Sequence, residues 1–367
     1  MAFSLSVRNY RGLRRVDWSP SGVCALVGPN GSGKTTLIDV LQLLQDANRS
    51  GFSKAIIGHG GAYGLRHFEA PRDEPVVFNL RVEDASWEAR PEVFLGPGGA
   101  RLPSREVLTV GEDIINEGEF EAEAEYSESA LQEALRSTEV PESLRRLVEL
   151  LFSYRYYRHY ALAGLRREGS LLSGDLRLLD DGRNLFAVLM NWRNRRDQRD
   201  RWDFVAKGLR DCYPELFSDF SFPIAANIVS CEVHTPSGHT LTPALLPDGF
   251  LVALIHLCAV ASTMPGGVLA IDEPENALHP YSIRRLMDAF REWSDAHDMT
   301  VLLATHSPVI LDTFKALPEK VFVMEPGQEV LPVPLDQLKK RSWLAHFSLG
   351  DLYEHLKYGA PVGADEA

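Results

Sequence analysis

Residues Gly28-Pro29-Asn30-Gly31-Ser32-Gly33-Lys34-Thr35 fit the pattern G-x-x-x-x-G-K-[ST] at every fixed position. They are preceded by an apolar run, Val23-Cys24-Ala25-Leu26-Val27, that reads as a strand buried on both faces. They are followed by Thr36 to Gln45, where Leu37, Ile38, Leu41 and Leu44 share one helical face. Strand, glycine loop and helix in this order make a phosphate cradle. Consecutive backbone N–H groups must curl around anionic oxygens, which requires conformations costly for residues with a Cβ. The helix adds the partial positive charge of its N-terminus at the same point. Gly28 to Thr36 are therefore candidate nucleotide-binding residues, with Lys34 reaching the β- and γ-phosphates and the Thr35 hydroxyl ligating Mg²⁺. A glycine-rich turn matching by accident would lack this flanking context.

A second motif supplies carboxylates. Gly267-Val268-Leu269-Ala270-Ile271 is apolar and runs straight into Asp272 and Glu273. An aspartate emerging at the end of a buried strand can reach Mg²⁺ or its water shell, which is the role expected of Asp272. Glu273 is then the candidate general base for an attacking water. The alternative, a strand followed by a solvated acidic turn, is disfavoured by the unbroken apolar run. Some thirty residues on, Val301-Leu302-Leu303-Ala304-Thr305 is another buried strand, ending in His306-Ser307-Pro308. A histidine at the C-terminal end of a neighbouring parallel strand can hydrogen-bond a γ-phosphate or its nucleophile.

These motifs resemble the ABC-type ATPases of the RecF, SMC and OLD class. The likeness rests on the opening Leu5-Ser6-Val7-Arg8-Asn9-Tyr10-Arg11-Gly12, the loop GPNGSGKTT, the stretch LAIDEPENALHP and the later ATHSP, in this order. Within that class the chain is similar to the short branch without a long coiled coil, near abortive-infection and OLD-like proteins. Leu179 to Leu185 and the tail Phe347-Ser348-Leu349-Gly350-Asp351-Leu352-Tyr353 look like that branch too. The resemblance implies an α/β P-loop NTPase fold, ATP with Mg²⁺ as cofactors, ATP hydrolysis, and two heads closing on two nucleotides as a homodimer. It also implies a signature segment facing the partner's nucleotide. Pro247, Asp248 and Gly249 occupy that place, with proline where the signature serine is expected, so slow hydrolysis is anticipated. No convincing Q-loop glutamine is apparent, since Gln42 and Gln45 belong to the helix after the phosphate loop. Arg11 is either a nucleotide contact, as in some members of the class, or a surface arginine beside a strand.

The expected organisation is a split head, residues 1–48 and 225–335, carrying a mixed sheet. An antiparallel β lobe at 75–126, a helical insertion at 127–220 and a tail at 336–367 complete it. Arg49 to Pro75 reads as loop, Gly96-Pro97-Gly98-Gly99 as a turn, and Ser127-Glu128-Ser129-Ala130 as a helix start.

Charge leaves partners open. A net charge of −13 excludes a uniformly basic nucleic-acid coat, not a local basic face. Arg193, Arg195, Arg196, Arg199 and Arg201, with Trp192 and Trp202, form either a phosphate-tracking surface or a solvated face paired with Asp197 and Asp200. Two functions follow. One is a DNA-associated ATPase of genome maintenance or anti-phage defence; the other is an ATP-gated scaffold that holds or releases a toxin or nuclease effector. The longest apolar run, Gly249 to Thr263, is too short to span a bilayer, and the four cysteines form no C-x-x-C pair. A cytoplasmic location without a membrane partner is expected.

Overall fold

The computed structural model describes residues 2–355, except 62–63, 72, 97–98, 102, 121–128, 138, 326–327, 340 and 345. Among these residues two six-stranded sheets carry most of the fold. The mixed sheet runs Arg155–Tyr157, Val268–Asp272, Thr300–Ala304, Val23–Val27, Val321–Val323, Val333–Pro334. All neighbours pair parallel except the last, which returns antiparallel. Its central strands read as unbroken apolar runs because both faces are covered, and alternate side chains enter different cores. Val23, Ala25 and Val27, with Leu269, Ile271, Val301 and Leu303, join the core beneath the helices Asp248–Ser262 and Pro280–His297. Cys24, Leu26, Val268, Ala270, Leu302 and Ala304 face the other core, shared with the helix after the phosphate loop and the second sheet.

That second sheet is antiparallel, in the order Leu13–Trp18, Phe3–Tyr10, Val77–Val82, Ala85–Pro91, Ser104–Val110, Asp113–Phe120. It takes in the first two strands of the chain, of which Leu13–Trp18 was not anticipated. Short hydrophobic alternations such as Phe3, Leu5, Val7 specify a half-buried strand, not which sheet receives it. Strands Phe94–Gly96 and Gly99–Arg101 pair around the expected turn, whose residues 97–98 lie outside the described set. Residues 127–128 of the expected helix start and 121–126 of the expected strand lie outside it too.

Two further corrections come from tertiary packing. Helix Lys34–Gly58 continues well past Gln45 into the stretch read as loop, with a bend at Gly51 (φ 78°). The polar residues Arg49, Ser50 and Ser53 hid the inward face, on which Phe52 stacks against Phe78 at 6.1 Å and Trp87 at 5.6 Å. Within the segment read as helical, Arg155–Tyr157 is a strand, paired parallel with the strand that ends in Asp272. The insertion therefore contributes an edge strand to the nucleotide sheet. All four cysteines are free and buried, and no helix among the described residues is long and apolar enough to cross a membrane.

Inside the antiparallel lobe, Glu106 is fully buried. It accepts from Trp87 Nε1 at 2.9 Å and from the Ala130 amide at 3.0 Å, and its Oε1 has no partner among the described residues. Burial outweighs these two donors and raises its pKa from 4.5 to about 7. A carboxyl with a raised folded pKa favours folding while it is neutral. Its contribution is whole below pH 4.5 and is lost as pH rises through about 7. Glu106→Gln is therefore expected to flatten the loss of stability over that window, on the order of 3 kcal/mol in full. Urea unfolding of both proteins at pH 5 and pH 8 is the check; equal pH slopes would refute it.

Candidate active site

Register brings the three motifs together. Asp272 pairs with Ala304, and Ala304 with Leu26, so the strands carrying the two carboxylates, His306 and the phosphate loop end side by side. This is the carboxyl end of a parallel sheet, where open α/β folds bind ligands. The cleft there is lined by Gly12, Asn30, Gly31, Ser32, Gly33, Lys34, Thr35, Thr36, Asp272, Glu273 and His306.

The loop keeps its shape through steric economy. Gly28 has φ 153°, and a Cβ there would lie 2.5 Å from the Met324 carbonyl oxygen. Lys34 is buried and donates from Nζ to the carbonyls of Gly28 at 2.8 Å and Pro29 at 3.0 Å. Its ammonium thus already spans the loop, although burial lowers its pKa against the pull of Glu273 and Asp272. The Ser32 hydroxyl is buried with no hydrogen-bond partner among the described residues, a cost that a phosphate oxygen would remove. Thr35 and Asp272 line the same cleft, and among the described residues no cluster of three or more His, Cys, Asp or Glu is placed to hold a metal. A hydroxyl, one carboxylate and phosphate oxygens suit Mg²⁺, which keeps much of its water shell; a transition-metal cage is a different donor set. The residues fit ATP with Mg²⁺.

Around the carboxylates the backbone is strained. Glu273 has φ 49° and Ala277 φ 65°, both in the left-handed region. The Glu273 amide donates to the Ala304 carbonyl at 2.8 Å, which fixes the turn. The Glu273 carboxylate is half exposed in the cleft, 3.9 Å from His306 Nε2. Burial and the charge of Lys34 lower the His306 pKa, so its imidazole is neutral near pH 7.

Several contacts were not assigned a role from the sequence. Tyr156 donates to Asp272 Oδ2 at 2.8 Å, and Arg158 Nε lies 3.7 Å from the same oxygen. Both come from the insertion's edge strand or the residue after it, so no reading of local sequence could place them. Glu275 accepts from Thr305 Oγ1 at 2.8 Å and from the His306 amide at 3.0 Å, tying the two strand ends together. Its place two residues beyond Glu273 in the E-P-E run was the available signal.

Not every expected residue converges. Arg11 turns away from the cleft lining and lies 3.5 Å from Asp39, over the Tyr10 ring. Pro247, Asp248 and Gly249 lie outside this chain's own cleft, where a segment expected to face a partner's nucleotide would also lie. Pro247 caps helix Asp248–Ser262 without a side-chain bond, while Arg166 pairs with Asp248 and donates to the Leu246 carbonyl at 2.7 Å. A Cβ on Gly249 would lie 2.4 Å from the Ala277 carbonyl oxygen, so the signature segment rests on the turn that follows Glu273.

Comparison with known proteins agrees with this site. The family described as "AAA domain, putative AbiEii toxin, Type IV TA system" matches residues 23–312. The OLD nuclease of Thermus scotoductus (strain ATCC 700910 / SA-01) is 24% identical over 343 residues, covering 85% of this chain and 60% of that protein. The energy-coupling factor transporter ATP-binding protein EcfA2 of Enterococcus faecalis (strain ATCC 700802 / V583) is 32% identical over 84 residues, 23% of this chain and 28% of its own. The chain thus spans less than two thirds of either curated relative. Among solved structures, an SMC head bound to the C-winged helix domain of ScpA gives a TM-score of 0.44 at 13% identity, covering 84% of this chain and 91% of that one. The SMC head domain from Thermotoga maritima gives 0.41 at 13% identity, covering 85% and 91%. With the family match spanning the phosphate loop, both carboxylates and His306, the chain belongs to this AAA-domain family, within the ABC-type ATPases of the RecF, SMC and OLD class.

Proposed function

We propose that this protein binds ATP with Mg²⁺ and hydrolyses it slowly, with two copies of the chain closing on the nucleotides, in genome maintenance or anti-phage defence. The observation that carries the reading is the single cleft holding Lys34, Thr35, Asp272, Glu273 and His306. In it Lys34 and the loop amides bind the triphosphate, Thr35 and Asp272 hold Mg²⁺, Glu273 accepts a proton from water, and His306 contacts the γ-phosphate or the water. Mg²⁺ supplies charge neutralisation of the phosphates when bound. The names of the family, with its toxin and toxin–antitoxin system, and of the Thermus relative, a nuclease, support a defence setting.

A second reading, an ATP-gated scaffold for a toxin or nuclease effector, gains from the arginine segment. Arg193 is paired with Asp219, Arg195 with Asp197 and Arg199 with Asp203. Arg201 is partly buried over the Trp192 ring and donates to the Leu176 carbonyl. Most of the cluster's charge is thus spent within the chain, which lowers its value for tracking DNA phosphates. The domain scheme proposed here keeps a split head with the insertion as its lever, joined through Tyr156 and Arg158.

Pro247→Ser tests the closing of two heads. A restored hydroxyl bond to a charged phosphate is worth about 1.5–3 kcal/mol, so turnover or ATP-dependent dimerisation should rise roughly ten- to a hundredfold. Serine at this cap also stabilises the helix by about 0.5–2 kcal/mol whatever its partner, so a raised melting temperature alone decides nothing. Steady-state ATPase and light scattering with and without ATP are the readouts, repeated with duplex DNA at two salt concentrations. No change in turnover or mass would remove the signature segment from the partner's site. Salt-dependent DNA affinity would favour the first reading over the scaffold.

A further inference from the structure

The tail of the chain reaches the catalytic cleft. Helix Leu349–His355 packs on the short helix Pro308–Asp312 that follows His306, and Leu349 and Leu352 are buried in the core. The contact is close: a Cβ on Gly350 would lie 2.7 Å from the Pro308 carbonyl oxygen, and the Gly350 amide donates to Asp312 Oδ1 at 2.9 Å. This seat brings the Tyr353 hydroxyl to 2.9 Å from His306 Nδ1.

We propose that Tyr353 is a positioning residue that fixes the tautomer of His306, so that the tail helix sets the hydrolytic competence of the cleft. The inference rests on the reading of His306 as a group facing the γ-phosphate or its nucleophile. Burial keeps the phenol protonated, so the hydroxyl has a proton to give. The Tyr353 hydroxyl pairs with Nδ1, and in this proposal it donates its proton to that nitrogen. Nδ1 is then the acceptor, and Nε2 carries the hydrogen of the neutral imidazole. Nε2 is the nitrogen that faces Glu273, at 3.9 Å. That gap is too long for a direct hydrogen bond, and one oxygen atom can bridge it, accepting from Nε2–H and donating to the Glu273 carboxylate. A water held in this way has its lone pair oriented by His306 and its proton aimed at the base. The opposite tautomer would present Nε2 as a second acceptor and compete with Glu273 for the same proton.

The tail segment was noticed in the sequence only as a family likeness. Its chemistry follows from the seat on Pro308, which places one phenol against the histidine.

The test uses the full-length protein with isotope-labelled histidine, and asks by long-range proton–nitrogen correlation NMR, without nucleotide, which ring nitrogen of His306 is protonated. The His306 signals are assigned from their loss in His306→Gln. Wild type should show Nε2–H, and Tyr353→Phe, which keeps the ring and removes only the hydroxyl, should move the population toward Nδ1–H. In the ATPase assay Tyr353→Phe should lower kcat about ten- to a hundredfold, the size seen for partners that orient a functional histidine, with KM for ATP unchanged. It should have no added effect in the His306→Gln background. Gly350→Ala, which forces the helix off Pro308 while keeping the phenol, should reproduce the tautomer change. The same tautomer in wild type and Tyr353→Phe, or additive losses in the double variant, overturns the assignment. If His306→Gln alone leaves turnover intact, the γ-phosphate reading of His306 fails, and the NMR result still decides whether Tyr353 sets the tautomer.

Discussion

Lys34→Ala is expected to weaken ATP binding by about 10²- to 10⁴-fold, the largest loss of affinity that any single change in the cleft should cause. The lysine supplies the charge that meets the β- and γ-phosphates, and two charge-assisted hydrogen bonds are worth about 1.5–3 kcal/mol each. At roughly 1.4 kcal/mol per decade, their sum gives that range. In the free protein the ammonium bonds the carbonyls of Gly28 and Pro29. Alanine therefore also removes the brace across the loop. The two effects are separable. A melting temperature close to wild type with lost binding assigns the loss to the phosphate contact, whereas a large fall in both assigns it to collapse of the loop. Calorimetric titration with ATP and Mg²⁺ is the measurement, and unchanged affinity would remove Lys34 from the nucleotide site.

Glu273→Gln should bind ATP normally and hydrolyse it about 10²- to 10⁴-fold more slowly, since the amide keeps the shape of the side chain and cannot accept a proton. The backbone gives a reason to choose glutamine over alanine. Glu273 sits at φ 49°, held by its amide bond to Ala304, and the substitution leaves that strained turn in place. The carboxylate is half exposed and faces a neutral His306, with the Lys34 ammonium in the same cleft. The variant should also accumulate any ATP-bound dimer, which makes it the background of choice for light scattering. Single-turnover hydrolysis with labelled ATP reads the chemical step directly; a rate equal to wild type would mean that another group accepts the proton.

These two predictions draw on different layers of information. Gly28 to Thr35, Asp272, Glu273 and His306 were all legible from local pattern, because each motif combines a buried strand with the residues that must follow its C-terminal end. Parallel strands of this kind announce themselves as apolar runs, and their ends are necessarily neighbours once the sheet forms. The antiparallel lobe was half legible. Alternation revealed Val77–Val82; Ala85–Pro91 went unread although its apolar residues alternate, and in Ser104–Val110 the polar Ser104 and Glu106 interrupt the inward face. Glu106 is the instructive case, a carboxyl on an inward position that only its burial against Trp87 and Ala130 explains.

The sequence by itself determined which residues line the cleft, since the glycine loop, the carboxylate pair and the histidine each lie within about ten residues of chain. Tertiary structure alone decided what holds those groups in place. Tyr156 reaches Asp272 from 116 residues away, and Tyr353 reaches His306 from 47. Such contacts depend on sheet order and helix packing, which no local periodicity encodes. The same holds for the arginine segment: its composition allowed a nucleic-acid surface, and the positions of Asp197, Asp203 and Asp219 pair much of that charge at the surface. Residue type fixes which interactions a side chain can make, and the packing of distant elements selects the one it does make.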